Sequence, residues 1–252
     1  MNAPIFIPSK GRAGKAKCIE TLLAEENENL VILVEPQDVE AYEAAYPKAN
    51  IEVLPDNDRG IAFVRNHLLQ RARTQNIDWF WQLDDDINTM GEVVNGKVVK
   101  QNFTYVLERS LALLMKFPTL AIGALEYQQY AWSAKRPYAF NSYCDTCVVV
   151  NTKNTARLKY RDGVKEDRDI VLQALSTGLI TARTTHFCFG SPKNGSNKGG
   201  LHDKYKAGLE IQWSKKMIEL WPGVCEMNVK PDGRPDVKIN WKLFKGTAPT
   251  YK

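Results

Sequence analysis

The apolar positions of this chain alternate between two kinds of spacing, and that alternation predicts an architecture. Ile5-Phe6-Ile7, Leu30–Val34 and Ile51–Leu54 are short continuous apolar runs, as expected of strands covered on both faces. Between them lie stretches with helical spacing: Ala16–Glu25 with Ile19, Leu22 and Leu23 on one face, Val39–Tyr46, and Ile61–Arg73. Asp78–Leu83 is a fourth strand, and an acidic triplet follows it directly. This βαβαβαβ order predicts an α/β protein with a mixed, mostly parallel, Rossmann-like sheet flanked by helices.

The pattern changes after residue 90. Val93–Val99 reads as a hairpin turning at Asn95-Gly96, the residue pair that suits two positive φ angles. A helix is expected over Phe103–Phe117, a strand over Thr119–Leu125 and an irregular aromatic stretch over Tyr127–Tyr143. A strand over Tyr143–Val150, a helix over Val164–Ser176 and a strand over Leu179–Phe189 follow. Gly190–Gly200 reads as a mobile loop, Ala207–Leu220 as a helix, and the tail as short β-like runs. The expectation is one domain of 252 residues in two halves, 1–100 for a donor and 101–252 for an acceptor.

Composition narrows the class. Hydrophobic residues make up 44% and charged residues 25%, as in soluble globular proteins. No apolar run approaches the roughly 20 residues that cross a bilayer, and the start lacks the order of an export signal. A cytoplasmic protein with no membrane contact is expected, and no obligate protein partner is evident. Five cysteines, an odd number, fit reduced thiols. Cys144-x-x-Cys147 has no second pair to complete a zinc site, so two buried thiols are the expectation. A net charge of +5 permits a polyanionic partner without requiring one.

The chemistry concentrates in carboxylates. Asp84-Asp85-Asp86 crowds three negative charges at a strand end, where a cation is the natural compensation. Alternation sends Asp84 and Asp86 to one side, toward a metal or its diphosphate, and Asp85 to the other, toward a ribose or a structural hydrogen bond. Hard oxygen ligands suit Mg²⁺ or Mn²⁺; a helix N-cap or a solvated turn is the alternative. Lys165-Glu166-Asp167-Arg168-Asp169 opens a helix, where carboxylates either complement the helix dipole or supply a base for an acceptor hydroxyl. Arg59 and Arg65 suit phosphate contacts, with a basic helix face as the other reading.

Further candidates frame a nucleotide. Pro8, Ser9, Lys10 and Arg12 follow the first strand, in a loop too irregular for a P-loop but able to offer backbone donors. Glu35 ends the second strand and can accept hydrogen bonds from a base or ribose. Lys198 lies in the glycine-rich loop expected to close over the donor. His186 and His202 are possible further metal ligands, the first rigid in a strand, the second accessible after Gly199-Gly200; a satisfied core histidine is the commoner role for His186.

In order, the opening Ile5-Phe6-Ile7-Pro8-Ser9-Lys10-Gly11-Arg12, the Gly60-x-x-x-x-Arg65-Asn66 helix, the strand ending in Asp84-Asp85-Asp86 and the later Glu166-Asp167 resemble the GT-A glycosyltransferases. That resemblance implies Asp84 and Asp86 on the metal of a nucleotide-sugar diphosphate, with UDP the expected nucleotide. It also implies Asp167 as catalytic base, with Glu166 as its understudy, in an inverting transfer; nothing in the spacing excludes a retaining one. Compact length, the Ile-Pro-Ser-Lys-Gly-Arg start and the Lys-Glu-Asp-x-Asp helix resemble more narrowly the bacteriophage-type DNA-modifying, TET-associated glycosyltransferases.

The narrower resemblance implies transfer of a sugar to a hydroxymethylated base, such as 5-hydroxymethylcytosine, in double-stranded DNA within a phage-infected cell. An enzyme acting on a base must expose it, at a cost that aromatic stacking offsets. Tyr127, Trp132 and Tyr138, interleaved with Lys135 and Arg136, are the expected nucleic-acid contacts; a core-and-loop aromatic cluster is the alternative. Competing readings are a transferase acting on a glycan, lipopolysaccharide or protein, a nucleotidyltransferase, and a non-catalytic nucleic-acid-binding protein on a degenerate transferase fold.

Overall fold

A computed structural model describes residues 3–192, 208–230 and 233–249. Its framework is the sheet that the apolar runs predict. The first four strands are β1 (Ile5–Pro8), β2 (Leu30–Val34), β3 (Ile51–Val53) and β4 (Trp79–Leu83). Helices α1 (Lys17–Ala24), α2 (Val39–Ala45) and α3 (Ile61–Thr74) connect them. β1 pairs in parallel with both β2 and β4, and β2 with β3. The five residues of β2 are all buried, which explains an apolar run with no polar alternation.

The second half adds β5 (Thr89–Val94), β6 (Lys97–Lys100), α4 (Phe103–Leu114), β7 (Leu120–Tyr127), α5 (Gln128–Ala131), β8 (Tyr138–Phe140), β9 (Cys147–Asn151), α6 (Glu166–Ser176) and β10 (Ile180–Gly190). α7 (Leu209–Leu220) and the hairpin of β11 (Cys225–Val229) and β12 (Pro235–Ile239) follow. The strand order is β3-β2-β1-β4-β9-β7-β10-β5-β6, with β8 beside β10, ten strands in all. β5, β8 and β9 run against the other seven, so the sheet is mixed and mostly parallel. Asn95 and Gly96 both take positive φ, as their hairpin turn requires.

Apolar clusters cover both faces of the sheet. One joins α1, α2 and α4 to Ile7, Trp81, Leu83 and Phe189; the other joins α3 and α6 to Phe6, Phe80 and Val148. Each contains residues from both sequence halves, so the halves share one core. A third, smaller cluster seats α7 and the β11–β12 hairpin against Leu172 of α6.

Several elements differ from their sequence reading. Helix α1 begins at Lys17 and β9 at Cys147, leaving Cys144 in the approach to the strand. The aromatic stretch contains α5 and β8, both too short for a periodic signal. All five cysteines are buried free thiols, as expected; burial pushes Cys144 up to about 12. Among the described residues no helix is long and apolar enough to cross a membrane.

Candidate active site

Strand β4 delivers the acidic triplet to the carboxyl edge of the parallel strands, where open α/β sheets bind ligands. The three side chains divide as strand alternation predicts. Asp85 turns inward, buried, and accepts hydrogen bonds from Ser9 Oγ and an Arg12 guanidinium nitrogen. Ser9 Oγ also meets Tyr42 Oη at 2.6 Å. Asp85 therefore braces the loop after β1. Asp84 and Asp86 stay open, their side chains 43% and 30% exposed. Protein walls on the remaining sides push the Asp84 carboxyl up to about 7, with Asp86, Asp85 and Asp145 adding to the effect and Arg65 opposing it.

Arg65 lies between the two acidic clusters. Its guanidinium is buried, donates to Glu166 Oε1 at 2.9 Å, stands 3.5 Å from Asp84 Oδ1 and covers the Tyr160 ring at 5.6 Å. Burial pushes Glu166 up to about 7 even against the pull of Arg65. The neighbouring Asn66 donates to Tyr160 O at 2.7 Å and accepts from Tyr160 N at 2.9 Å. Arg65 and Asn66 thus fasten α3 to the segment carrying the second cluster. One terminal nitrogen of Arg65 is thus engaged by Glu166 and the other stands beside Asp84, while its buried Nε has no hydrogen-bond partner among the described residues.

The other nucleotide candidates sit around the ends of β1 and β2. Pro8 closes β1. Lys10 pairs with Glu35 at 2.7 Å and also with Asp58, and Gln37 Nε2 donates to Glu35 at 2.7 Å. Lys10 and Glu35 therefore engage each other across the two strand ends. Lys198 and His202 lie outside the described residues. His186 is exposed in the irregular part of β10 between Thr184 and Cys188, not in the core. It belongs to no group of three potential metal ligands, and none exists among the described residues.

Asp84 and Asp86 nevertheless fit a hard divalent cation. They are oxygen donors two residues apart, partly exposed, with Arg65 3.5 Å from Asp84 and Arg12 3.8 Å from Asp86. Magnesium-like ions are commonly held by one or two carboxylates, the rest of their shell being water and substrate phosphate. These two side chains would hold the ion.

Beside the triplet opens a cleft of about 1390 Å³, larger than a typical small-ligand pocket. The triplet itself does not line it; Asn88 and Thr89, just beyond, do. The remaining walls come from the β5–β6 turn, α5, the end of β10 and the β11–β12 hairpin. Among the described residues, Lys97, Arg168, Lys230, Arg234 and Lys238 line it with one acidic residue, Asp145. Arg168 pairs with Asp236 at 2.8 Å and Lys165 with Asp236 at 3.3 Å, which fastens the hairpin to α6.

The aromatic candidates separate. Tyr127, Tyr130, Trp132 and Tyr143 line the cleft, and Trp132 is 61% exposed. Lys135 and Arg136 are exposed but outside the lining. Tyr138 is corrected to the core: it is 8% exposed and its ring packs on Phe117 at 5.1 Å. Asp145, which the sequence reading passed over, accepts from Tyr127 Oη at 3.1 Å and is pushed up to about 6, chiefly by burial and then by Asp167. Its signal was indirect, since it lies inside the Cys144-x-x-Cys147 segment.

A mixed, mostly parallel sheet flanked by helices is the architecture of the GT-A class. A sequence profile of the TET-associated glycosyltransferases matches residues 3–200, and the chain belongs to that family. No curated protein matches it. Among solved structures, it is similar to GalNAc-T7 with UDP, GalNAc and Mn²⁺: 11% identity, TM-score 0.52, 88% of this chain and 52% of that one. It is also similar to 4-diphosphocytidyl-2C-methyl-D-erythritol synthase: 11% identity, TM-score 0.46, 82% and 98% of the two chains. The likeness to GalNAc-T7 shows the fold.

Proposed function

We propose that the protein transfers a sugar from a nucleotide sugar, UDP being the expected nucleotide, to the hydroxyl of a hydroxymethylated base in DNA. The observation that carries the acceptor class is the cleft, which among the described residues has five Lys or Arg residues against one carboxylate and the exposed Trp132. Phosphates favour such a lining, and an extrahelical base can stack on an exposed aromatic ring. Family membership supports the transferase chemistry.

In this reading the donor diphosphate lies at the ends of β1 and β4, near Asp84 and Asp86. A divalent ion held there would offset charge on the departing diphosphate. Asp85, Ser9 and Arg12 keep the loop after β1 in place. The family resemblance implies a carboxylate base for the acceptor proton and inversion at the anomeric carbon. GalNAc-T7 with UDP and Mn²⁺ supports nucleotide-sugar and divalent-ion use on this fold.

The test is incubation with hydroxymethylated and unmodified DNA and a panel of nucleotide sugars, followed by mass spectrometry of the nucleosides. A one-sugar mass increment confined to hydroxymethylated DNA is expected. No increment with any donor would transfer the assignment to glycan acceptors.

A further inference from the structure

Two carboxylates that the sequence marks for base chemistry do not reach the cleft. Glu166 is engaged by Arg65 at 2.9 Å. Asp167 Oδ1 accepts from the backbone N–H of Arg168 at 2.8 Å, and neither residue lines the cleft. Asp145 does.

The antiparallel pairing of β4 with β9 brings Asp145 there. Leu83 pairs with Cys147, and Asp84 N donates to Thr146 O at 3.0 Å, so the triplet and Asp145 leave adjacent strands at the same level. Two devices hold the segment. Arg183 donates to Tyr143 O at 2.7 Å and to Ser142 Oγ at 3.0 Å, and its guanidinium covers the Tyr143 ring at 3.6 Å. Tyr127 Oη donates to Asp145 Oδ1 at 3.1 Å and meets Thr146 Oγ1 at 3.1 Å. The second carboxylate oxygen, Oδ2, accepts no hydrogen bond from the described residues.

Resting on the transferase reading above, we propose that Asp145, rather than Asp167, is the catalytic residue that binds the acceptor hydroxyl and takes its proton. The hydroxyl oxygen forms a bond to the anomeric carbon as the bond from that carbon to the diphosphate breaks. The electron pair leaves with the nucleoside diphosphate, and the hydroxyl proton passes to Asp145 Oδ2 and then to water. The groups facing Asp145 are Tyr127, Thr146, Tyr143, Asp84, Asp167, Arg168 and Arg183.

The experiment compares Asp145→Asn, Asp145→Glu and Asp167→Asn in the full chain with Mn²⁺, on the acceptor the wild-type protein uses. Asp145→Asn is expected to lower kcat by about 10²- to 10⁴-fold. KM for the acceptor and Kd for the nucleoside diphosphate should stay within a few fold, and Asp145→Glu should recover part of the rate. Asp167→Asn should cost at least about tenfold less kcat than Asp145→Asn.

Tyr127→Phe supplies a second readout. Losing its hydrogen bond to the carboxylate should move the acidic limb of the kcat profile to higher pH, a shift that a structural role alone would not cause. Equal or greater loss in Asp167→Asn, or an unmoved limb in Tyr127→Phe, overturns the proposal. Wild-type protein that modifies a glycan and never DNA overturns the DNA reading alone, and the same variants are then compared on that glycan.

Discussion

Arg65 donates to Glu166 at 2.9 Å across 101 positions of sequence, and that bond joins α3 to α6. The same guanidinium stands 3.5 Å from Asp84. One buried cation therefore balances charge from both acidic clusters, and the spacing of the clusters depends on it.

Removing that cation leaves Glu166 buried without its partner. Arg65→Ala is expected to destabilise the fold by about 3–5 kcal/mol, read from the midpoint of urea unfolding at pH 7.5. Arg65→Lys should retain part of the stability, since the charge remains but the forked geometry is lost. A loss below about 1 kcal/mol for Arg65→Ala would show that Glu166 finds another partner or stays protonated at little cost.

Asp84 and Asp86 carry the metal prediction. Asp84→Asn and Asp86→Asn should each lower transfer by about a hundredfold or more, a barrier increase of about 3 kcal/mol, and EDTA should abolish wild-type activity. Isothermal titration with Mn²⁺ and the nucleoside diphosphate should show weakened coupled binding in both variants. Full activity of either variant in EDTA would sink the metal role.

Asp236 provides a pH-dependent contribution outside the reacting groups. Arg168, Lys165 and its backbone contacts hold its carboxyl down at about 2 despite burial. Its stabilisation is therefore complete above its unfolded value near 4 and is lost as pH falls through about 2. Asp236→Asn should cost roughly 2 kcal/mol at neutral pH, and the difference from wild type should close between pH 4 and 2. Thermal melts across that range check it; a difference independent of pH would point to packing alone.

Trp132 and Tyr138 lie six residues apart and should behave oppositely. Trp132→Ala should leave the melting temperature nearly unchanged and weaken acceptor binding by about 1–3 kcal/mol, the range for a stacked base. Tyr138→Ala removes a ring packed on Phe117 and should destabilise by about 3 kcal/mol. Acceptor affinity and urea unfolding on both variants separate the roles. Equal effects on both readouts would refute the distinction.

The contrast between these two aromatics shows what was legible in the chain. Continuous apolar runs announce β2 and β4 because both of their faces are covered, and the strand end carries Asp84 and Asp86 to a predictable edge. Alternation also separates Asp85 from its neighbours. Which aromatic is core and which is rim depends on a three-residue strand beside β10, and so short a strand has no period to read. The bond from Arg65 to Glu166 is a long-range contact that no local pattern announces. Asp145 carries no local pattern: its place follows from the register of β9 against β4, formed by strands more than sixty residues apart.

The strand order has a consequence for synthesis. When the first hundred residues have left the ribosome, β5 and β6 are made, yet their neighbour β10 does not begin until Ile180. Meanwhile β4 offers an unpaired edge until β9 arrives at Cys147. A nascent chain stalled in that interval exposes one open sheet edge and one orphan hairpin, the form in which strands pair with the wrong molecule. Interleaving joins the two halves through shared strand pairs, and it also leaves the growing polypeptide with open strand edges until β9 and β10 are made.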